Sequence, residues 1–358
     1  MSSQDSRLPV AVLGATGSVG QRFIQLLQDH PWFRIAELTA SERSAGKTYA
    51  EAADWYQSTE LPASVADQVV KSTDPKTTPL DSPILFSALD SGTAKQVEAA
   101  YAQAGHYVIS NASAHRMDED VPLMVPEVNP EHVTMVAEQS YAGGLLTNPN
   151  CSTIGLVSAL KPLHDAFGIE AVQVTTLQAV SGAGIPGVSS MAMIDNIVPY
   201  IGNEEDKLET EPQKILGTWQ DGAIKQGCFV LSAACNRVPV VDGHTLCVSV
   251  RFDTMADHDQ VVAALRDFRS EPQTLGLPSA PERPIHLLDG EARPQPRLDR
   301  DRDGGMATSV GRLRKCPILD YKFVVLSHNT VRGAAGGSIL VAELALAKEA
   351  LGDLRVPA

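Results

Sequence analysis

The sequence lacks the features that mark membrane, secreted and nucleic-acid-binding proteins. It has no run of about 18 apolar residues, so no segment is predicted to span a membrane. Its polar start, Ser2 to Arg7, has no apolar stretch of a signal peptide. The five cysteines are an odd number without a CxxC pair, which argues against a disulfide framework and favours a reducing cytoplasm.

Charge and ligand spacing exclude further classes. The sequence has 29 basic against 43 acidic side chains, and the net charge of −14 argues against nucleic acid or an anionic membrane as a partner. A small anionic substrate stays possible, because it needs only a few local positive groups. No cluster of His, Cys, Asp and Glu has the spacing of metal ligands, so no metal is predicted.

What is present is enough for a folded core. The 358 residues are 43% hydrophobic, which suits one large or two ordinary domains. In the first part of the chain, apolar strands alternate with helical segments, and the strands are Val10 to Leu13, Arg34 to Thr39, Ile84 to Leu89 and Tyr107 to Ser110. This alternation predicts an α/β fold: a Rossmann-type doubly wound parallel sheet over residues 1–149.

Beyond residue 149 the pattern changes. Ala171 to Ala179, Phe229 to Ala234 and Thr245 to Phe252 alternate apolar with polar residues, which predicts an α+β domain over residues 150–329 with one sheet face covered by helices. Asp289 to Arg314 is rich in Pro, Gly, Arg and Asp and is interpreted as a surface excursion. The last helix, about Ala334 to Leu351, is apolar on most faces and is predicted to be buried against the first domain, so residues 330–358 join it.

A glycine-rich turn follows the first strand and opens the first helix. In GATGSVG the first glycine permits a tight turn, the second admits a pyrophosphate and the third lets helix and strand pack closely. The helix start adds amide donors and a positive dipole end. The motif therefore predicts a dinucleotide site, with an ordinary turn as the alternative; its residues are Gly14, Thr16, Gly17, Ser18, Val19 and Gly20.

The segment after the second strand indicates which dinucleotide binds. An NAD enzyme usually places an acid there for the ribose hydroxyls, whereas this chain has hydroxyls and cations around one acid, Glu42. Such side chains suit a ribose 2′-phosphate. We therefore predict NADP rather than NAD, unless the segment is a solvated turn; the predicted residues are Ser41, Arg43, Ser44 and Lys47.

A candidate nucleophile lies at the junction of the two domains. Cys151 follows a polar turn, Asn148 to Asn150, and lies at the start of an apolar helix that begins with Thr153 to Leu160. A cysteine at a helix start has a raised thiolate content, and amides of the same turn can stabilise an oxyanion. The other four cysteines, Cys228, Cys235, Cys247 and Cys316, are interpreted as inert thiols. On local sequence alone Cys151 could be inert as well.

Two further residues complete a possible site. His244 lies in Asp242-Gly243-His244, where a turn could present it to a cleft as a base, although a solvent-exposed turn histidine fits the local sequence better. His115 and His328 are the other candidates. Arg237, seven residues earlier, could bind a carboxylate with two parallel hydrogen bonds.

Nearly the whole chain resembles the aspartate-semialdehyde dehydrogenase family, and its archaeal and fungal branch in particular. The resemblance is carried by GATGSVG, SNASAHRM, DVPLMVPEVN, NPNCST, QAVSGAGIPG, CNRVPVVDGH, RPQPRLDRD, GRLRK and SHNTVRGAAGGSILVAEL, in that order. It implies NADPH-dependent reduction of L-aspartyl 4-phosphate to L-aspartate 4-semialdehyde through a cysteine thioester. Archaeal malonyl-CoA reductases resemble the same branch, so a CoA-acylating reductase is the alternative.

The resemblance also implies a role for particular residues. Cys151 would be the nucleophile, His244 the acid and base, and Gln178 would hold the acyl group. Arg237 would bind the α-carboxylate, while Glu204 and Lys207 would bind the amine and the phosphate. Further phosphate candidates are Asn111, Ser113 and Arg116. Asn329 would meet the nicotinamide carboxamide, or else cap a helix, and the other cofactor contacts would be Ser91, Ser181 and Gly182.

The expected partners are a small-molecule substrate and inorganic phosphate, in a cytoplasmic homodimer or homotetramer, with no nucleic acid and no membrane. Two alternatives from other classes stay open. A Cys/His hydrolase would need only Cys151 and His244, and would leave the glycine-rich turn without a role. A non-catalytic regulator would bind NADP without turnover.

Overall fold

The computed structural model describes residues 6–220 and 222–357, which form two compact units. The first unit comprises the described residues up to Leu123, Glu131–Asn148 and the chain from Ser338 onward. The second comprises Met124–Pro130 and Pro149–Gly337.

A six-stranded parallel sheet forms the centre of the first unit. Its strand order is β3-β2-β1-β4-β5-β6. The strands are β1 Leu8–Leu13, β2 Phe33–Ala40, β3 Lys71–Ser72, β4 Ile84–Ser87, β5 Tyr107–Ser110 and β6 Gly144–Thr147. The helices are α1 Ser18–Leu27, α2 Tyr49–Ala52, α3 Ala63–Ala66 and α4 Ser91–Gln103, with a 3-10 segment at Pro130–Glu138. The central strands are buried along most of their length, as expected when both faces are covered.

A second six-stranded sheet, of mixed direction, forms the second unit. Its order is β10-β7-β11-β14-β13-β12, and the inner pairs are antiparallel. The strands are β7 Ala171–Gln178, β8 Thr218–Gln220, β9 Ala223–Lys225, β10 Val230–Arg237, β11 His244–Arg251, β12 Ile285–Leu288, β13 Thr308–Lys315 and β14 Tyr321–Ser327, of which β8 and β9 form a separate hairpin.

The remaining helices accompany this sheet or follow it. They are α5 Cys151–Phe167, α6 Ser190–Met193, α7 Glu204–Ile215, α8 His258–Asp267, α9 Glu271–Thr274, α10 Pro296–Asp299 and α11 Gly336–Ala347. Shorter helical segments lie at Val180–Ala183, Arg302–Gly305 and Val331–Ala335, the last being π-helical. The predicted fold, a Rossmann-type parallel sheet plus an α+β domain, is confirmed.

Alternating burial determines which side chains of the second sheet face the helices. In β7, Val172, Val174, Thr176 and Gln178 are buried, and in β11, His244 is buried while Cys247 is exposed. Leu177 pairs with Thr245, so Gln178 and His244 lie at neighbouring strand ends. The predicted single covered face is confirmed, and it carries two of the predicted site residues.

The predicted surface excursion from Asp289 to Arg314 is partly wrong. Thr308–Lys315 is a strand, β13, paired with both β12 and β14. Earlier in the same segment, the buried carboxylate of Asp299 accepts hydrogen bonds from Arg293 and Arg302. The many charged residues predicted a solvated segment. The charges of Asp299, Arg293 and Arg302 neutralise one another, however, so the Asp299 carboxylate can be buried.

Candidate active site

The first helix of the second unit begins at the predicted nucleophile. Asn150 is the N-cap of α5, and its Oδ1 accepts hydrogen bonds from the backbone N–H groups of Ser152 at 2.9 Å and Thr153 at 3.4 Å. Asparagine is among the residues that best satisfy free amides at a helix start. Cys151 is therefore the first residue of the helix, as predicted, where the dipole favours an anion.

His244 lies beside this thiol. Its Nε2 is 3.2 Å from Sγ of Cys151, and the ring is fully buried. The backbone N–H of Ala179 donates to Nδ1 at 3.0 Å. Burial lowers the pKa of His244 to about 3, helped by the charges of Arg237 and His328 and opposed by that of Glu204. The imidazole is therefore neutral at ordinary pH.

Arg237 ends β10 close to the same ring. Its Nη1 donates to the carbonyl of Ala179 at 2.8 Å, which fixes one side of the guanidinium. A Cβ atom on Gly182 would lie 3.0 Å from Nη1 of Arg237 and 3.3 Å from Nε2 of His244. Arg237, the predicted cation, and His244, the predicted base, therefore border one small space beside Gly182, which has no side chain.

Glu204, the first residue of α7, accepts hydrogen bonds from three other side chains. Its two carboxylate oxygens accept from Asn150 Nδ2 at 2.9 and 2.8 Å, from Gln178 Nε2 at 2.9 Å and from Lys207 Nζ at 2.9 Å. Burial opposes ionisation, but the charge of Lys207 and these hydrogen bonds outweigh it and hold the pKa of Glu204 below its usual range. The carboxylate is therefore charged, and it links Gln178 to the cap of the cysteine helix.

Asn329 does not cap a helix with its side chain. Its Oδ1 accepts from the N–H of Gly243 at 2.8 Å, and its Nδ2 donates to Oγ of Ser181 at 2.8 Å. The structure thus brings Asn329 and Ser181 together, immediately beside the turn that carries His244. The predicted residues of the second unit form one connected group.

The sequence did not point to the π-helical turn that lies against the nucleophile. The N–H of Gly333 donates to the carbonyl of His328 at 2.9 Å, five residues earlier. A Cβ on Gly333 would lie 2.8 Å from Cβ of Cys151. Next to it, Arg332 makes a buried ion pair with Glu127. π-Helical turns often mark functional sites, but a glycine within an apolar helix gives no sequence signal for one.

The first unit contains the glycine-rich turn. Gly14 has φ of +73°, and a Cβ there would lie 2.8 Å from the carbonyl oxygen of Ala88. A Cβ on Gly20 would collide with the backbone of Gly14 and Ala15. α1 begins at Ser18, and its first turn carries no acid. The tight turn and the close contact of helix and strand that the motif predicts are present, and the binding of a phosphate at the start of α1 stays a prediction.

Other predicted residues of the first unit form pairs. Oγ of Ser91 lies 2.8 Å from Oγ of Ser113, and Nη2 of Arg116 donates to the carbonyl of Asn111 at 2.7 Å.

In the turn after β2, Ser41, Arg43 and Lys47 are exposed and Ser44 is half-buried. Glu42, the acid among them, accepts a hydrogen bond from Ser72, which turns it towards β3.

The chain matches two family models in sequence order. Residues 9–136 match "Semialdehyde dehydrogenase, NAD binding domain" and residues 160–332 match "Semialdehyde dehydrogenase, dimerisation domain". The chain belongs to the semialdehyde dehydrogenase family. It is thus an enzyme, the predicted nicotinamide dinucleotide is confirmed as its cofactor class, and the second match supports the predicted oligomer.

Members of this family are similar to the chain over almost their full length. It is 54% identical over 341 residues to the aspartate-semialdehyde dehydrogenase of Methanothermobacter thermautotrophicus, covering 94% of this chain and 98% of that one. The crystal structure of the Candida albicans aspartate-semialdehyde dehydrogenase with NADP has 48% identity and a TM-score of 0.89, over 96% of this chain and 99% of that one. The predicted similarity to the archaeal and fungal branch is confirmed.

Among residues 6–220 and 222–357, no three or more His, Cys, Asp or Glu side chains form a group that could hold a metal ion. In the same residues, no helix has the length and apolar character needed to cross a membrane.

Proposed function

We propose that the chain catalyses the reversible NADP-dependent conversion of L-aspartyl 4-phosphate to L-aspartate 4-semialdehyde and phosphate. The observation that carries this proposal is the thiol of Cys151 at a helix start, 3.2 Å from a buried imidazole and close to Arg237. Relatives at about half identity carry the name of this activity. The reaction serves lysine, threonine and methionine biosynthesis.

NADP is the cofactor that suits the residues present. Gly14 and Gly20 leave a cradle that a Cβ would fill, and the turn after β2 offers Ser41, Arg43 and Lys47 to a 2′-phosphate. When bound, NADPH supplies the hydride that reduces the thioester. The other predicted cofactor contacts are Thr16, Gly17, Ser18, Val19, Ser44, Ser91, Ser181, Gly182 and Asn329.

The chemistry at the protein begins on Cys151. Its thiolate attacks the acyl carbon, the bond from that carbon to the phosphate oxygen breaks, and phosphate leaves with the electron pair, so that a thioester forms on Sγ. The positive end of the α5 dipole stabilises the oxyanion of this step, since Asn150 already engages the N–H groups of Ser152 and Thr153. In this proposal Nε2 of His244, 3.2 Å from Sγ, takes the proton of the Cys151 thiol and then gives it to the departing oxygen, and the transfers are reversed in the other direction. The amide of Gln178 holds the acyl group.

Arg237 and Glu204 orient the substrate in this proposal. Arg237 binds the α-carboxylate through the N–H groups that do not face Ala179. Glu204 accepts the substrate ammonium in exchange for Lys207, whose side chain is 28% exposed and which then turns to the phosphate. Asn111, Ser113 and Arg116 are further phosphate candidates. Orientation by non-reacting groups is a large part of catalysis.

We infer that the enzyme works in the cytoplasm as a homodimer or homotetramer. All five cysteines are free, which suits a reducing compartment. The match to a dimerisation domain supports the oligomer.

Two assays test the proposed function. We expect rapid NADP reduction with aspartate semialdehyde plus phosphate, and slow reduction with malonate semialdehyde plus CoA; the opposite preference would assign a malonyl-CoA reductase. Cys151→Ala should abolish turnover while NADPH still quenches tryptophan fluorescence at the same concentration. Cys247→Ser, which changes an exposed thiol on the other face of the sheet, is the matched control and should keep full turnover.

A further inference from the structure

Two buried side chains lie behind the glycine-rich turn of the first unit. The hydroxyl of Tyr49, the first residue of α2, donates to the carbonyl oxygen of Ala15 at 2.8 Å. Tyr49 is completely buried, and burial raises the pKa of its hydroxyl, which therefore keeps the proton that it donates. Gln21, also completely buried, donates through Nε2 to the carbonyl oxygen of Thr16 at 3.1 Å. Two consecutive carbonyl groups of the turn are thus held by side chains.

The main chain holds the other two carbonyl groups of the turn. The N–H of Gly17 donates to the carbonyl of Gly14 at 3.1 Å, and the N–H of Gln21 donates to the carbonyl of Gly17 at 2.9 Å. All four carbonyl oxygens of the turn therefore accept hydrogen bonds from the protein. Because the N–H of a trans peptide points away from its C=O, the N–H of Thr16 is directed away from the buried Tyr49 hydroxyl.

The direction of these carbonyl groups matters for an anion. A carbonyl oxygen has a partial negative charge and repels a phosphate, whereas a main-chain N–H attracts one. With its carbonyl oxygens bonded to protein donors, the turn can present N–H groups to the pyrophosphate of a dinucleotide. Loss of one donor would free a peptide to rotate and to bring its carbonyl oxygen towards that pyrophosphate.

Both side chains are themselves fixed. Nε2 of Gln21 also donates to the carbonyl of Asp54 at 2.7 Å, and its Oε1 accepts from the N–H of Tyr56 at 2.8 Å. The ring of Tyr49 contacts that of Trp55 edge to face, with the centroids 6.5 Å apart. Donors fixed in this way before binding reduce the entropy lost when the cofactor binds.

We propose that Tyr49 and Gln21 are positioning residues of the dinucleotide site, which hold the carbonyl groups of Ala15 and Thr16 away from the pyrophosphate of the cofactor. The two side chains act through the main chain of the turn, on a part of the cofactor that does not react and that NAD and NADP share. The proposal rests on the glycine-rich turn as the NADP site of the proposed function.

Tyr49→Phe removes one hydroxyl and keeps the ring. The matched control is Tyr101→Phe, because Tyr101 is also buried in the first unit and its hydroxyl donates to the carbonyl of Thr78 at 3.3 Å. Both variants lose one hydrogen bond to a main-chain carbonyl, so a general loss of stability affects both. Gln21→Met is a second test variant, since it keeps the length of the side chain and removes the donor to Thr16.

Isothermal titration calorimetry of the whole enzyme with NADPH gives the Kd of each variant. We expect Tyr49→Phe and Gln21→Met each to raise the Kd by roughly tenfold, on the order expected when one hydrogen bond to a charged group is weakened. Tyr101→Phe should bind NADPH as the wild type does. A wild-type Kd in Tyr49→Phe and Gln21→Met would overturn the proposal, as would an equal rise in Tyr101→Phe. Either test variant alone keeps the measurement decisive if the other does not fold.

Comparison of two cofactors shows which part of the site is affected. Because NADH contains the same pyrophosphate, Tyr49→Phe should raise its Kd by the same factor, and kcat at saturating NADPH should stay near the wild-type value. A rise confined to NADPH would mean that the turn after β2 is disturbed instead, and would refute the proposal. Absence of NADPH binding by the wild type would refute the NADP site together with this inference. Calorimetry needs no substrate, so NADPH binding without aspartate-semialdehyde turnover would refute the proposed reaction and leave this result in place.

Discussion

The Nδ2 atom of Asn150 donates to both carboxylate oxygens of Glu204, at 2.9 and 2.8 Å. The residue that caps the nucleophile's helix is therefore also the residue that joins this helix to α7. Asn150→Asp should retain the cap, because aspartate caps helices as well as asparagine does. It removes both donors, however, and places one carboxylate against another.

We therefore expect Asn150→Asp to lower kcat/KM by about one to two orders of magnitude, from a lost charge-assisted hydrogen bond and like-charge repulsion. Asn150→Asp should cost less in a Glu204→Gln background than in the wild type, because an amide again faces a carboxylate. Strictly additive effects in this double-mutant cycle would show that the contact between the two side chains does not matter.

Arg43→Ala should change the KM for NADP much more than the KM for NAD. Loss of one charge-assisted bond to the 2′-phosphate is expected to raise the KM for NADP about ten- to a hundredfold and to leave that for NAD almost unchanged. Lys76→Ala, at another exposed position of the first unit, is the control for a simple change of charge. Equal effects of Arg43→Ala on both cofactors would refute the assignment.

Arg237→Lys keeps the positive charge but loses the planar fork. Because orientation by a non-reacting carboxylate contributes to the rate, kcat/KM for aspartate semialdehyde should fall by about one to three orders of magnitude. NADPH affinity should hardly change. Iodoacetamide labelling of Cys151 reports whether the site is intact; near-normal kcat/KM with a reactive thiol would mean that another group binds the carboxylate.

Gly333→Ala should displace the nucleophile. Its new Cβ would lie 2.8 Å from Cβ of Cys151, and neither backbone can move without disturbing a helix start. A displacement of about 1 Å can cost on the order of a hundredfold in rate, so we expect kcat to fall at least tenfold. Gly202→Ala, where a Cβ has open space, is the matched control. Wild-type kcat in Gly333→Ala would contradict the packing described here.

Ionisation of the Asp299 carboxyl should make the free energy of unfolding depend on pH in the acid range. The hydrogen bond and charge of Arg293, with help from Arg302, lower the pKa of its buried carboxyl to about 2. Since the unfolded value is higher, near 3.9, the stabilisation is complete above about pH 4 and disappears as the pH falls towards 2. Asp299→Asn should therefore lower the free energy of unfolding by about 2 kcal/mol at pH 7, and by much less at pH 2.

Urea unfolding at the two pH values measures this difference. Asp165→Asn removes an exposed ion pair with Lys161 and should cost less than about 1 kcal/mol at either pH. A loss for Asp299→Asn that is the same at pH 2 and pH 7 would show that hydrogen bonding to Arg293, and not charge, stabilises this segment.

The sequence predicted structure correctly where a residue type has one characteristic local role, such as glycine in a tight turn. The turn from Gly14 to Gly20, the helix start at Cys151 and the alternation along β7 all follow from backbone geometry or from a period of two. The N-cap role of Asn150 could have been predicted in the same way, because asparagine before a predicted helix start is a capping signal.

The rest depends on contacts between distant segments. Nothing local to Ala179 indicates that its N–H meets a histidine 65 residues later, since a backbone donor leaves no trace in side-chain chemistry. Likewise, the buried pair of Glu127 and Arg332 joins residues 205 positions apart. β13 was missed because its run of Arg and Lys hides the strand period, and only pairing with β12 and β14 reveals it.

The first unit is built from three separate stretches of chain, the last of which starts at Ser338. Within it, the imidazole of His30 meets the completely buried carboxylate of Glu343, and Oγ of Ser338 donates to Asn111. During synthesis, the ribosome must therefore translate past Ser338 before the first unit can be completed. Until then the nascent sheet exposes surface that a chaperone could hold, and the second unit, whose own segments end at Gly337, can be completed first.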